Sequence, residues 1–172
     1  MKKFISGTAL FSIVLWVVSA GVGFVGAQSK AQPDTRAASG EVLTDETLMQ
    51  NLTNMGFEPK KLSKGFLIAI KQDTWTLNMQ LVISANTEKI GLNANLGKVQ
   101  DPASISAPTW YELLVSNGDI DPSAFYFDKD QKKLYLHRTF DNRGVTPAIL
   151  RREIEAFGGA IRKTENLWKF TK

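Results

Sequence analysis

Trp75-Thr-Leu-Asn-Met-Gln-Leu-Val-Ile-Ser84 and, after a short polar break, Ile90-Gly-Leu-Asn-Ala-Asn-Leu96 are two runs in which apolar and polar residues take turns. In the first, Trp75, Leu77, Met79, Leu81 and Ile83 alternate with Thr76, Asn78, Gln80 and Ser84, interrupted only by Val82. In the second, Ile90, Leu92, Ala94 and Leu96 alternate with Gly91, Asn93 and Asn95. A period of two is the mark of a strand with one face buried and the other wet. Ala85-Asn86-Thr87-Glu88 predicts the connecting turn. Working backwards, Phe66, Ile68 and Ile70 within Gly65 to Lys71 predict a preceding strand, closed by the turn-prone Gln72-Asp73. Sequential strands with short links make an antiparallel meander whose second face is wet or covered by a partner.

Outward from the meander, Thr44 offers an N-cap with Asp45 and Glu46 in the first turn. Leu48, Leu52 and Met55 then recur at helical spacing until Gly56 and Pro59, predicting a helix at about 45–55. Ser106 and Pro108 open a second helix, with Trp110, Leu113 and Leu114 on one face and Asn117-Gly118 as its end. Phe125 and Phe127, the turn Asp128-Lys129-Asp130-Gln131, and Leu134 and Leu136 predict a second hairpin. Thr146-Pro147 caps a third helix with the stripe Leu150, Ile154 and Phe157, and Gly158-Gly159 is expected to stop it. Ile161, Leu167 and Trp168 form a tail able to dock on the core. The predicted order is α-β-β-β-α-β-β-α, an α+β fold with a single antiparallel sheet packed against helices, over residues 44–172.

Residues 1–27 carry a different signal. Lys2 and Lys3 precede a stretch from Phe4 to Ala27 that holds no charge, the pattern of an export leader with a positive start and an apolar middle. Val25-Gly26-Ala27 places the expected cut between Ala27 and Gln28. The alternative is an uncleaved anchor, since Phe4 to Val25 is long enough to cross a hydrocarbon core of about 30 Å. Residues 28–43, polar and rich in small residues, predict a disordered linker. The chain is therefore expected to be exported, periplasmic or secreted, or else held at a membrane by its N-terminal segment.

Of the 172 residues, 21 are Lys or Arg and 17 are Asp or Glu, a net charge of +4; without Lys2 and Lys3 this falls to 19 − 17 = +2. A charge this small and interspersed gives no basic stripe for nucleic acid. The absence of cysteine leaves the domain without disulfides, so packing must hold it.

Three local patterns carry a resemblance: the short first helix, Trp110-Tyr-Glu-Leu-Leu114 with Asn117 followed by Phe125-Tyr-Phe-Asp128 and Leu134-Tyr-Leu136, and Thr146-Pro147 opening a last helix that ends near Trp168. From about Leu43 onward the chain resembles the YbjN-like branch of the type III secretion chaperone fold. The resemblance implies a non-enzymatic α+β module that pairs through its middle helix or sheet and binds an extended segment of another protein. Such modules are usually cytoplasmic, which sits in tension with an export leader.

Chemistry-bearing constellations are sparse. Asn117, Asp119, Asp121 and Asp128 echo a calcium loop, but Pro122 stands where glycine is wanted and Asp128 where a bidentate Glu is wanted. They read more simply as helix-exit and turn residues. His137, the only histidine, is the one residue on which a hydrolase reading can rest. No glycine-rich phosphate loop follows a strand, so no cofactor is expected. Adjacent Trp110 and Tyr111 diverge by about 100° on a helix, so both cannot face one core. One is left for a partner or for water. Trp110, Tyr111 and Leu114 are thus the expected contact surface for a protein or peptide partner, which includes a second copy of the chain.

Overall fold

The computed structural model describes residues 40–171 with the exception of 73 and 74. The leader at 1–27, the cut between Ala27 and Gln28, most of the 28–43 linker and the Trp75 side chain lie outside the described residues. The described residues form α1 (Asp45–Asn54), β1 (Lys60–Lys61), β2 (Phe66–Gln72), β3 (Trp75–Ile83), β4 (Lys89–Lys98), α2 (Ala107–Asp119), β5 (Ser123–Asp128), β6 (Lys133–Asp141) and α3 (Pro147–Lys163). Single 3-10 turns stand at Pro102–Ser104 and Glu165–Leu167.

The strands make one antiparallel sheet in the order β1-β2-β3-β4-β6-β5. The alternation read from sequence sets its faces. Leu77, Met79 and Leu81 of β3 and Ile90, Leu92 and Ala94 of β4 are buried. Met79 stands opposite Ala94 and Leu81 opposite Leu92, so their side chains share one face and build one core. Leu48 and Leu52 of α1 and Leu150, Ile154, Phe157 and Ile161 of α3 complete that core. On the other face, Asn78, Asn95 and Thr139 are exposed.

β1 was not expected. Lys60-Lys61 has no apolar residue to mark it, and pairing with Leu67 and Phe66 is what makes it a strand. The turn between them needs Gly65: it has φ +72, and a Cβ there would lie 1.9 Å from the Leu81 carbonyl oxygen.

α3 corrects the reading of its end. The helix runs through Gly158-Gly159 to Lys163. Two glycines cost about 1 kcal/mol each in a helix interior, whereas burying Ile161 and Phe157 completely contributes roughly 1.5–3 kcal/mol apiece. The stripe outweighs the breakers. α2 likewise extends past Asn117-Gly118 to Asp119.

Two polar clusters close the fold. The buried Asn142 side chain accepts the Leu43 N–H at 3.1 Å and donates to the carbonyls of Leu43 at 3.0 Å and Thr87 at 2.8 Å. With the bridge between Val42 and Arg143, this ties down the chain ahead of Thr44. At β6, Arg138 Nε and Nη2 donate to Glu153 Oε2 at 2.9 and 2.6 Å, while Arg152 Nη2 donates to Oε1 at 3.0 Å. Burial works to raise the Glu153 pKa, but hydrogen bonds and charge from Arg138 and Arg152 outweigh it and hold the carboxyl below its ordinary value. Among the described residues, no helix is long and apolar enough to cross a membrane.

Candidate functional site

The site is built where α2 meets the free edge of the sheet. Ser106 caps α2, its Oγ accepting the Thr109 N–H at 3.3 Å, and Pro108 sits in the first turn, where its missing N–H costs nothing. A 13-residue helix follows, and Leu113 is the one residue it buries. β5 ends the sheet, paired with β6 alone. Such an edge exposes main-chain donors and acceptors. One of them is taken by α2 itself: the Phe125 N–H donates to Asn117 Oδ1 at 2.7 Å.

The helix divides the adjacent aromatics as a 100° step requires. Trp110 turns inward, edge-on to Phe127 at 5.6 Å between ring centroids and to Phe170 at 6.0 Å. Tyr111 turns outward and is 67% exposed. Leu114 does not share the buried face with Leu113: it is 68% exposed, and Val115 is 52% exposed. Tyr111, Leu114 and Val115, at i, i+3 and i+4, therefore form one apolar stripe in water. Exposed apolar groups scattered singly need no explanation, but a contiguous stripe does.

Beside the stripe runs a groove of about 230 Å³ lined by Trp110, Leu113, Leu114, Phe125, Tyr126, Phe127 and Leu134. Tyr126 alternates with Phe125 and Phe127 and so belongs to the other face of β5, yet it also lines the groove. The groove thus passes over the free edge of the strand. Tyr126 is 44% exposed and lies flat on Tyr135, with centroids 5.1 Å apart and planes 9° from parallel. Partial burial, with the neighbouring Tyr135 and Asp128, raises the Tyr126 pKa, so it stays a neutral phenol at pH 7.

The other sequence candidates are placed elsewhere. Asn117 serves the α2–β5 contact, and Asp128 Oδ1 accepts the N–H groups of Asp130 and Gln131, both at 2.9 Å, as a turn cap. Asp119 and Asp121 are exposed. Among the described residues, no group of three or more His, Asp or Glu is arranged to hold a metal ion. His137 is half-buried on the open sheet face, with Nδ1 2.7 Å from Asn93 Oδ1. Burial lowers its pKa, against a smaller rise from a backbone hydrogen bond at Leu92. Its close polar neighbour is an amide, not a nucleophile. Val115, Tyr126 and the groove itself escaped the sequence reading. The helical spacing 111, 114, 115 is the signal that could have found Val115; nothing local marks Tyr126 or the groove.

No family model and no curated protein sequence matches the chain. Among solved structures it is similar to YbjN from E. coli, with TM-score 0.55 and 18% identity over 74% of this chain and 96% of that one. It is also similar to a chain of the ExsC–ExsE complex, with TM-score 0.53 and 15% identity over 72% of this chain and 92% of that one. The likeness at these identities is one of architecture: the domain has the YbjN-like, type III secretion chaperone-like fold.

Proposed function

We propose that this protein is a non-enzymatic protein-binding module that grips a protein or peptide through the α2–β5 edge. The observation that carries the reading is the stripe Tyr111, Leu114 and Val115 standing in water beside an apolar groove at an unpaired strand edge. Apolar area of this kind is stabilised by removal from water at about 25 cal/mol per Å², and tyrosine adds a polar tip that suits a contact surface. A chain with the same architecture is found in a protein–protein complex, ExsC–ExsE, which agrees with this reading. The simplest occupant is a second copy of the chain, because a two-fold pair buries one stripe against itself. We read the protein as exported, with residues 1–27 either removed before Gln28 or retained as a tether.

Light scattering on size-exclusion fractions of the full chain tests the pairing. Wild type is expected to run as a dimer and Leu114→Asp with Tyr111→Ser as a monomer that still unfolds cooperatively, its lower Tm reflecting only the lost association. A monomeric wild type at high concentration removes the homodimer and leaves only a foreign partner for the surface. The mass of the N-terminal peptide from the exported protein decides between leader and anchor: a start at Gln28 means a cut, and an intact Met1 rules it out.

A further inference from the structure

β3 and β4 share a ladder only as far as Met79 opposite Ala94. Both strands run on beyond it, β3 back to Trp75 alongside β2 and β4 forward to Lys98 alongside β6. The cause is local. The register of β4 against β6 shifts between Asn95 and Gly97, Gly97 takes φ +135, and Asn95 Oδ1 accepts the Gly97 N–H at 3.1 Å. An extra residue of this kind bends its strand, and only glycine adopts such a φ without strain. β4 therefore leaves β3, and the sheet forks.

The fork holds a crevice of about 360 Å³, lined by Thr76, Leu77 and Asn78 on one side, Asn95 and Leu96 on the other, and Glu165 and Trp168 from the C-terminal segment. The Leu96 carbonyl is already satisfied by the Thr171 hydroxyl at 2.7 Å. One observation marks the crevice as more than a gap. Among the described residues, the Trp168 indole N–H is the buried side-chain polar atom that has no hydrogen-bond partner, and buried donors are nearly always paired.

We propose that this fork is a second binding site, which takes a short extended peptide segment of neutral or basic character. Extended backbone presents N–H and C=O groups along both its sides at about 3.3 Å per residue, matching two strand edges that face each other without a common ladder. With the Trp168 ring on its wall, the segment lies beside the indole whose N–H lacks an acceptor. The segment's N–H groups, or an amine on a side chain, meet Glu165, which carries the only formal charge on the lining. An acidic segment is turned away by that same carboxylate. A helix, about 10–12 Å across with its side chains, does not enter. The crevice shares no lining residue with the α2–β5 groove, so either site can fail without the other.

The test is titration of the full chain carrying ¹⁵N-labelled tryptophan, with the Trp168 indole signal assigned through Trp168→Phe. The probes are acetyl-Ala-Lys-Ala-amide, acetyl-Ala-Glu-Ala-amide and a neutral disaccharide. The basic peptide is expected to move the Trp168 signal saturably, with the acidic one binding roughly tenfold more weakly. Glu165→Gln is expected to erase that difference, and Leu114→Asp to leave it intact. Should Trp168→Phe fold poorly, Trp16→Phe, Trp75→Phe and Trp110→Phe assign the other three indole signals and leave that of Trp168 by elimination. A Trp168 signal that no peptide moves, or that only the disaccharide moves, overturns the proposal.

Discussion

α2 and α3 open with the same local grammar and end in opposite states. Ser106 with Pro108 and Thr146 with Pro147 each supply a capping hydroxyl and a proline in the first turn. Yet α3 buries Leu150, Glu153, Ile154, Phe157, Gly158 and Ile161, while α2 buries Leu113 alone. α3 reaches strands on both sides of the sheet's middle: its Ile154 lines a cleft with Ile70 of β2, and its Glu153 holds Arg138 of β6. α2 packs against β5, the last strand of the sheet, and among the described residues no strand lies beyond it. A helix set at an edge cannot bury a full stripe on its own sheet, and the part left over is available to a partner. The closed side therefore carries stability, and the open side is where we place recognition.

Mutations that break this division are ranked by that logic. Phe157→Ala, at a position with 0% exposure, is expected to cost about 3–5 kcal/mol in urea unfolding. Leu114→Ala on the facing-out stripe is expected to stay within about 0.5 kcal/mol. Equal effects would mean that α2 is as much a part of the core as α3. Asn142→Ala comes next. It strands the N–H and C=O of Leu43 and the carbonyl of Thr87, and a loss of about 2–3 kcal/mol is expected by thermal unfolding, with the oligomeric state unchanged.

The smallest effect separates the two sides by pH. Glu153 is held below its ordinary pKa of 4.5 in the folded chain. A depressed carboxylate contributes stability that is fully present above the unfolded value and is lost as pH falls through the folded one. Stability is thus expected to drop below about pH 4.5, and Glu153→Gln to flatten that part of the curve. Changes on the α2 stripe should leave the curve's shape alone, because no charged residue belongs to it.

Some of this was legible in the residues and some was not. Alternation at 75–84 and 90–96 located β3 and β4 because a half-buried strand imposes a period of two on every position. Trp110 and Tyr111 announced that one must face out, from helical geometry alone; which one does so depended on Phe127 and Phe170 being placed to receive Trp110. The passage of α3 through Gly158-Gly159 was illegible, since the breakers are local and the core that outweighs them is not. Asn142 gave no signal either: its partner Leu43 is 99 residues away.

By itself, the sequence determined the α+β class, the order of the main elements, the caps of all three helices and the presence of an uncharged N-terminal segment. These are encoded in short-range periods and in single residues whose backbone preferences act locally. Only the tertiary structure decided which strands form the edges, where β3 and β4 part, and which of α2's apolar residues remain in water. Those outcomes depend on register and on strand neighbours far apart in the chain, and no local pattern contains them.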